Sequence, residues 1–240
     1  VTAALRWTKR LLLLAVAIFL ALLASAYARR HPQDVPWSPL DLSQPVGLFT
    51  AAKVAGLKGP ACKALLRRAG IGFRGLPGRR EGPDCGYDDA VRLTGGAATI
   101  GYRPTGLGTS CRVAAALALW EWNVVQPAAL RHFGRHVVSI DTFGSYSCRR
   151  IYGRRTGQWS EHARANAVDV AAFRLEDGRR VSVAGDWRGD STKARFLHEV
   201  RDGACRVFAT TLSPDYNAAH RDHLHLDEAG RARMGWRACR

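Results

Sequence analysis

The sequence predicts an α+β domain, a mainly antiparallel sheet with helices packed on it and three disulfides holding it. Three observations predict it. Helical caps and spacing dominate the first part of the domain, from Cys62 to Gly134. Alternating strand patterns gather later, around 136–142, 166–175, 205–211 and 222–227. Six cysteines (62, 85, 111, 148, 205 and 239) are spread through the same region, even in number and without a CxxC pair. That spacing argues against a cysteine zinc knuckle and for disulfides in an oxidising compartment, with connectivity left open.

The first thirty residues point to the same compartment. Arg6, Lys9 and Arg10 precede an apolar run from Leu11 to about Ala28. Such a run is either a secretory signal or an N-terminal membrane anchor. Ala24-Ser25-Ala26 and Ala26-Tyr27-Ala28 have the small-x-small pattern of cleavage sites. Both readings export the downstream chain to the periplasm or cell envelope, and residues 11–28 then offer membrane association. Residues 31–59, rich in Pro and polar side chains at their start, read as a linker to a domain spanning 60–240.

Within the domain, Cys62–Ala69 reads as a short helix, with Pro60 near its start and Gly70 as its stop. Residues 72–86, crowded with Gly, Pro and Arg, read as a loop pinned by Cys85. Residues 91–103 read as a hairpin turning at Gly95-Gly96. Thr109 and Ser110 are candidate caps for the longest helix, which Pro127 either kinks or divides before Gly134. Its alanines, with Trp120 and Trp122, suggest packing rather than chemistry. Strands come next at 136–142 and 166–175, and Asp177-Gly178 is a turn before a strand at 179–184. A helix from Ser191 to Val200, closing near Gly203, precedes strands at 205–211 and 222–227.

Net charge is +16, from 36 Lys and Arg against 20 Asp and Glu. A surface of that sign attracts a polyanion such as an acidic envelope polymer, or is simply a solvated arginine-rich surface. Basic residues do not alternate with aromatics, so no specific nucleic acid is indicated.

The candidate chemistry lies in two clusters. In His220-Arg221-Asp222-His223-Leu224-His225-Leu226-Asp227, strand alternation puts His223 and His225 on one face and the leucines on the other. Upstream, Ser160-Glu161-His162 leads to Asp169, a carboxylate set among Val168, Val170, Ala171 and Ala172. An unpaired carboxylate there is costly, and a metal or a buried Arg would make it tolerable. His, Asp and His form a mixed N/O set suited to Zn²⁺, one per chain, with an open fourth position for water. No HExxH motif occurs.

Ser160-x-His162-x-x-Ala165-x-Ala167-x-Asp169 resembles the SxHxxGxAxD motif of D-Ala-D-Ala metallopeptidases, and His223-Leu224-His225 resembles the HxH of penicillin-insensitive murein endopeptidases. Both belong to the Hedgehog/DD-peptidase superfamily. Gly144-Ser145-Tyr146-Ser147-Cys148-Arg149, the 160–169 segment and Tyr216–His223 resemble hallmark segments of the bacterial extensin-like C-terminal domain family, over roughly residues 60–240. The resemblance implies a Hedgehog/DD-peptidase-like fold, with His162, Asp169 and His225 as zinc ligands. It implies His223, or else Asp222, as general base, and Arg149 as the group holding a substrate carboxylate or the oxyanion. Ser160 would orient a ligand or substrate group, and His220 would support the site or contact substrate. Two departures stand out: Ala165 replaces the motif's Gly, and Asp222 stands where the carboxypeptidases have Glu. The expected function is a zinc peptidase acting on peptidoglycan cross-links or stems. The alternative is a non-catalytic envelope-binding module, and the order of residues excludes an HxHxDH nuclease.

Overall fold

The computed structural model describes residues 2–96, 100–230 and 236–240. Helix α1 (Thr2–Arg30) is long and apolar enough to cross a membrane by length and composition, a test that a signal sequence also passes. Its last turn is tied to the segment after it. Tyr27 Oη donates to Asp34 at 2.8 Å, and Asp34 also accepts from the Leu48 amide at 2.7 Å. The stretch expected to be a linker is an ordered arm. Gln33, Val35, Leu42, Thr50, Ala51, Val54 and Ala55 are all buried, the last four on α2 (Thr50–Ala55). Proline and polar content suggested a free chain, but a few apolar side chains suffice to dock it, each contributing about 1.5–3 kcal/mol for the larger ones.

Helix α3 (Gly59–Arg68) begins with Pro60 in its first turn, as expected. Residues 72–86 are a correction: they are largely strands rather than loop. Strand β1 (Ile71–Gly75) is succeeded by a small hairpin of β2 (Arg79–Glu81) and β3 (Cys85–Tyr87). Glycine reads as loop in sequence, yet Gly86 is there for close approach. A Cβ on it would lie 2.0 Å from the Arg79 carbonyl oxygen across the hairpin. The hairpin expected at 91–103 is a second correction. Strand β4 (Val91–Gly96) pairs with β1, whereas β5 (Gly101–Arg103) joins another sheet; residues 97–99 between them lie outside the described residues. Strand β6 (Gly108–Thr109) completes the three-stranded sheet beside β4.

Ser110 caps α4 (Cys111–Trp120), its hydroxyl accepting from the Val113 amide at 3.4 Å. The alanine-rich sequence lets this helix bury nearly every residue at close-packed density. It continues through a π-helical turn, Glu121–Val125, into α5 (Gln126–Phe133), which has Pro127 in its first turn and stops at Gly134 in the left-handed region (φ 62°). A one-turn helix, α6 (Val183–Asp186), precedes α7 (Thr192–Val207). Helix α7 runs past Gly203, and Cys205 lies in it rather than in a strand. Gly203 is where α7 meets the π-helical turn, since a Cβ there would lie 2.2 Å from Val124 Cγ1. Trp120 is fully buried against Phe173 and Phe208 and donates to the Val200 carbonyl at 2.8 Å.

The main sheet adds β7 (Val137–Gly144), β8 (Ala167–Leu175), β9 (Arg180–Ser182), β10 (Thr210–Leu212), β11 (Leu224–Asp227) and β12 (Ala238–Cys239) to β5. Its order is β12-β10-β11-β8-β7-β5, with β9 also on β8. Antiparallel pairs form its centre, but β5 runs parallel to β7 and β12 parallel to β10, so the sheet is mixed. All six cysteines are paired: Cys62–Cys111 joins α3 to α4, Cys85–Cys148 joins β3 to the segment after β7, and Cys205–Cys239 joins α7 to β12. Val168, Val170, Leu224 and Leu226 point into the core from the two central strands. Their neighbours in sequence therefore face the other way.

Candidate metal centre

Asp169 and His225 are direct cross-strand partners in the antiparallel β8–β11 pair. Side chains opposite each other on one face meet at close range. His162 arrives from a 3₁₀ turn (Glu161–Arg164) just before β8. The three close a triangle. His225 Nδ1 is 3.0 Å from Asp169 Oδ1, His162 Nε2 is 3.2 Å from the same oxygen, and the two nitrogens are 3.1 Å apart. All three residues are buried.

The outer atoms of the two rings fix which way their lone pairs point. His162 Nδ1 is 2.6 Å from the Ser145 carbonyl. A carbonyl can only accept, so this nitrogen carries the proton. His225 Nε2 is 3.1 Å from Asp227 Oδ2 and likewise donates outward. The inner atoms are then two imidazole lone pairs and a carboxylate oxygen converging on one point. Such an arrangement repels unless a positive charge lies within it. A proton on His225 satisfies one edge; a divalent cation satisfies all three. Burial opposes charge on both groups. Even so, bonds from His162 and His225 hold the Asp169 carboxyl far below its usual range, and bonds to Asp169 and Asp227 push His225 up to about 9. Positive charge among the three groups is thereby favoured. Tetrahedral ligands about 2.0–2.2 Å from a zinc ion stand roughly 3.3 Å from one another, close to the separations here. The outer partners, a carbonyl on one histidine and a carboxylate on the other, are of the kind that orient metal-binding imidazoles. Among the described residues no fourth His, Cys, Asp or Glu joins the group.

His223 approaches Asp169 Oδ1 from outside the triangle, its Nε2 at 3.5 Å, while its Nδ1 lies 2.9 Å from Asp222 Oδ1. The two residues expected as alternative bases therefore stand in series: Asp222 holds the ring and His223 faces the centre. The Ser160 hydroxyl accepts from the His162 amide at 3.3 Å, which orients a member of the triangle. His220 Nδ1 bonds Asn217 Oδ1 at 2.8 Å, and its ring packs 5.2 Å from His223 and 5.9 Å from His225. Burial, and then the neighbouring His223 and His225, pull its pKa down to about 4. Arg149 lines the same cleft, anchored in the chain beside the Cys85–Cys148 disulfide. The cleft has a volume of about 400 Å³ and is lined by His162, Asp169, His223 and His225 at its floor.

A family model described as extensin-like protein C-terminus matches residues 60–240. The chain belongs to this family. No curated protein and no solved structure matches it. The extensin-like region thus takes in both histidine clusters, all six cysteines and the whole main sheet.

Sequence reasoning missed several residues of the extensin-like cleft. Asp227 is the outer partner of His225, and period-two spacing from His223 through His225 already placed it on that face. Ser145 acts through its carbonyl, which no side-chain pattern reveals. Tyr152, Trp159 and Tyr216 line the walls from outside the strands, where sequence carries no periodic signal.

Proposed function

We propose that this domain is an exported zinc-dependent peptidase of Hedgehog/DD-peptidase-like fold that acts on peptide cross-links or stems of peptidoglycan. The observation that carries the reading is the triangle of inward lone pairs from His162, Asp169 and His225, with His223 beside it at the floor of an open cleft. When bound, zinc supplies Lewis acidity at the scissile carbonyl and lowers the pKa of an attacking water. His223 accepts that water's proton at Nε2, because Asp222 takes up the hydrogen-bonding capacity of Nδ1. The imidazolium then returns the proton to the leaving amine. Arg149 supplies positive charge for a substrate carboxylate or for the oxyanion. Three features support the substrate class: an apolar leading helix, three disulfides that fit an extracytoplasmic compartment, and a +16 chain suited to an anionic wall polymer.

Two measurements test this. Metal analysis of the purified chain should find about one zinc per molecule, lost in Asp169→Ala. Incubation with cross-linked muropeptides should give cleavage that a chelator stops and zinc restores. Zinc bound without cleavage, together with tight adsorption to sacculi, would leave an envelope-binding module; absence of zinc binding after addition of the metal would remove the peptidase reading altogether.

A further inference from the structure

Tyr152 is one of the cleft residues that the peptidase reading leaves without a role. It is a bulky aromatic in the left-handed region (φ 57°, ψ 22°), a conformation such a side chain rarely adopts. Backbone held this way by its surroundings clusters at ligand clamps and active sites. Tyr152 is 46% exposed and lines the cleft, as does Tyr216 at 44%. The Tyr216 phenol lies close enough to Tyr152 for that neighbour to raise its pKa. Asn217 Nδ2 also donates to the Tyr152 oxygen at 2.9 Å. The amide's orientation is fixed from its other end, where Asn217 Oδ1 accepts from the Ala219 amide and from His220 Nδ1.

A phenol carries one hydroxyl hydrogen. Because Tyr152 Oη accepts from Asn217 Nδ2, its own O–H remains to donate. We propose that Tyr152 and Tyr216 form a substrate-positioning subsite that donates this hydrogen bond to a backbone carbonyl oxygen of a bound peptide. A lone neutral donor suits a neutral carbonyl, whereas a carboxylate is better served by Arg149. The subsite is displaced from the centre. Tyr216 and Tyr152 pack at 5.6 and 6.4 Å from His220, which itself packs 5.9 Å from His225. Extended chain advances about 3.3–3.6 Å per residue, so the pair engages a carbonyl within roughly three residues of the scissile bond. The hydrogen bonds Tyr152–Asn217 and Asn217–His220 tie the subsite to the histidine cluster.

This proposal takes the peptide substrate from the reading above, so its test separates binding from cleavage. The full chain in detergent, carrying His223→Ala to block turnover, is titrated with a cross-linked muropeptide by calorimetry. The double change Tyr152→Phe/Tyr216→Phe should weaken binding about three- to tenfold, the range of one neutral hydrogen bond. In the parent enzyme it should raise KM by more than it lowers kcat. Tyr152→Gly, which suits the left-handed backbone, should lose the same affinity while keeping the melting temperature; a merely structural tyrosine would show the reverse. Unchanged affinity in both variants would overturn the subsite, even with cleavage intact. Binding by the parent that falls in the variants would support it, even if no cleavage is ever seen. Failure of the parent to bind muropeptide would overturn it together with the choice of substrate.

Discussion

Ala165 shows how a single residue records a compromise. It sits at φ 52°, ψ 24°, closing the 3₁₀ turn that delivers His162, at the position where the resembled motif carries glycine. Its carbonyl accepts from the Ser110 amide, the Thr109 hydroxyl and the Ser145 hydroxyl, so the turn is held from three sides at once. Those bonds keep an L-residue in a region that costs it about 1 kcal/mol. Ala165→Gly should therefore stabilise the fold by about 0.5–1 kcal/mol and raise the melting temperature by a few degrees, with zinc content unchanged. The change of residue leaves the geometry of the triangle in place. At the same scale, His223→Ala should cut muropeptide turnover by about 10²–10⁴-fold while zinc remains bound, because His223 stands outside the triangle. Loss of zinc in that variant would instead make it a ligand.

At the scale of elements, the long helix is the least regular part of the core. Between α4 and α5 the π-helical turn begins at Glu121, which is buried and hydrogen-bonded by Tyr102. Burial pushes its carboxyl up from 4.5 to about 8. That shift sets the sign of the pH effect. Below about pH 4.5 Glu121 is protonated in both states and costs nothing. Between 4.5 and 8 only the unfolded state releases the proton, so stability falls as pH rises; above about 8 the loss is complete. The full difference is of order 5 kcal/mol. Glu121→Gln, which keeps a partner for Tyr102 without the charge, should flatten the decline of unfolding free energy between about pH 5 and 8 in denaturant titrations. The same element shows what periodicity misses. Ser110 and Gly134 marked its ends correctly, but no residue announces a π turn, which lies where α7 presses Gly203 against Val124.

The whole molecule is an ordered arm and a layered domain, laced by disulfides of 34 to 63 residues' separation. Each closes a loop long enough to contribute about 2–4 kcal/mol by restricting the unfolded chain. Cys85–Cys148 also fixes the segment carrying Arg149 against the β2–β3 hairpin. Removing it with Cys85→Ser/Cys148→Ser should lower the melting temperature by roughly 5–15 °C in thermal unfolding.

The amino-acid sequence determined the class of the fold, the pairing state of its cysteines, the apolar leading helix and the candidates His162, Asp169 and His225, which the structure brings together. Each of these rests on local chemistry: alternation on a strand, an even cysteine count, a carboxylate placed among valines. Only tertiary structure decided that Asp222 and His223 stand in series, that the Ser145 carbonyl and Asp227 orient the rings of His162 and His225, and that residues 72–86 are largely strands. It also decided that the arm packs and that two edge strands run parallel. These depend on which segments lie side by side. Residues far apart in the chain meet through hydrogen bonds and buried area, and no local pattern encodes that meeting.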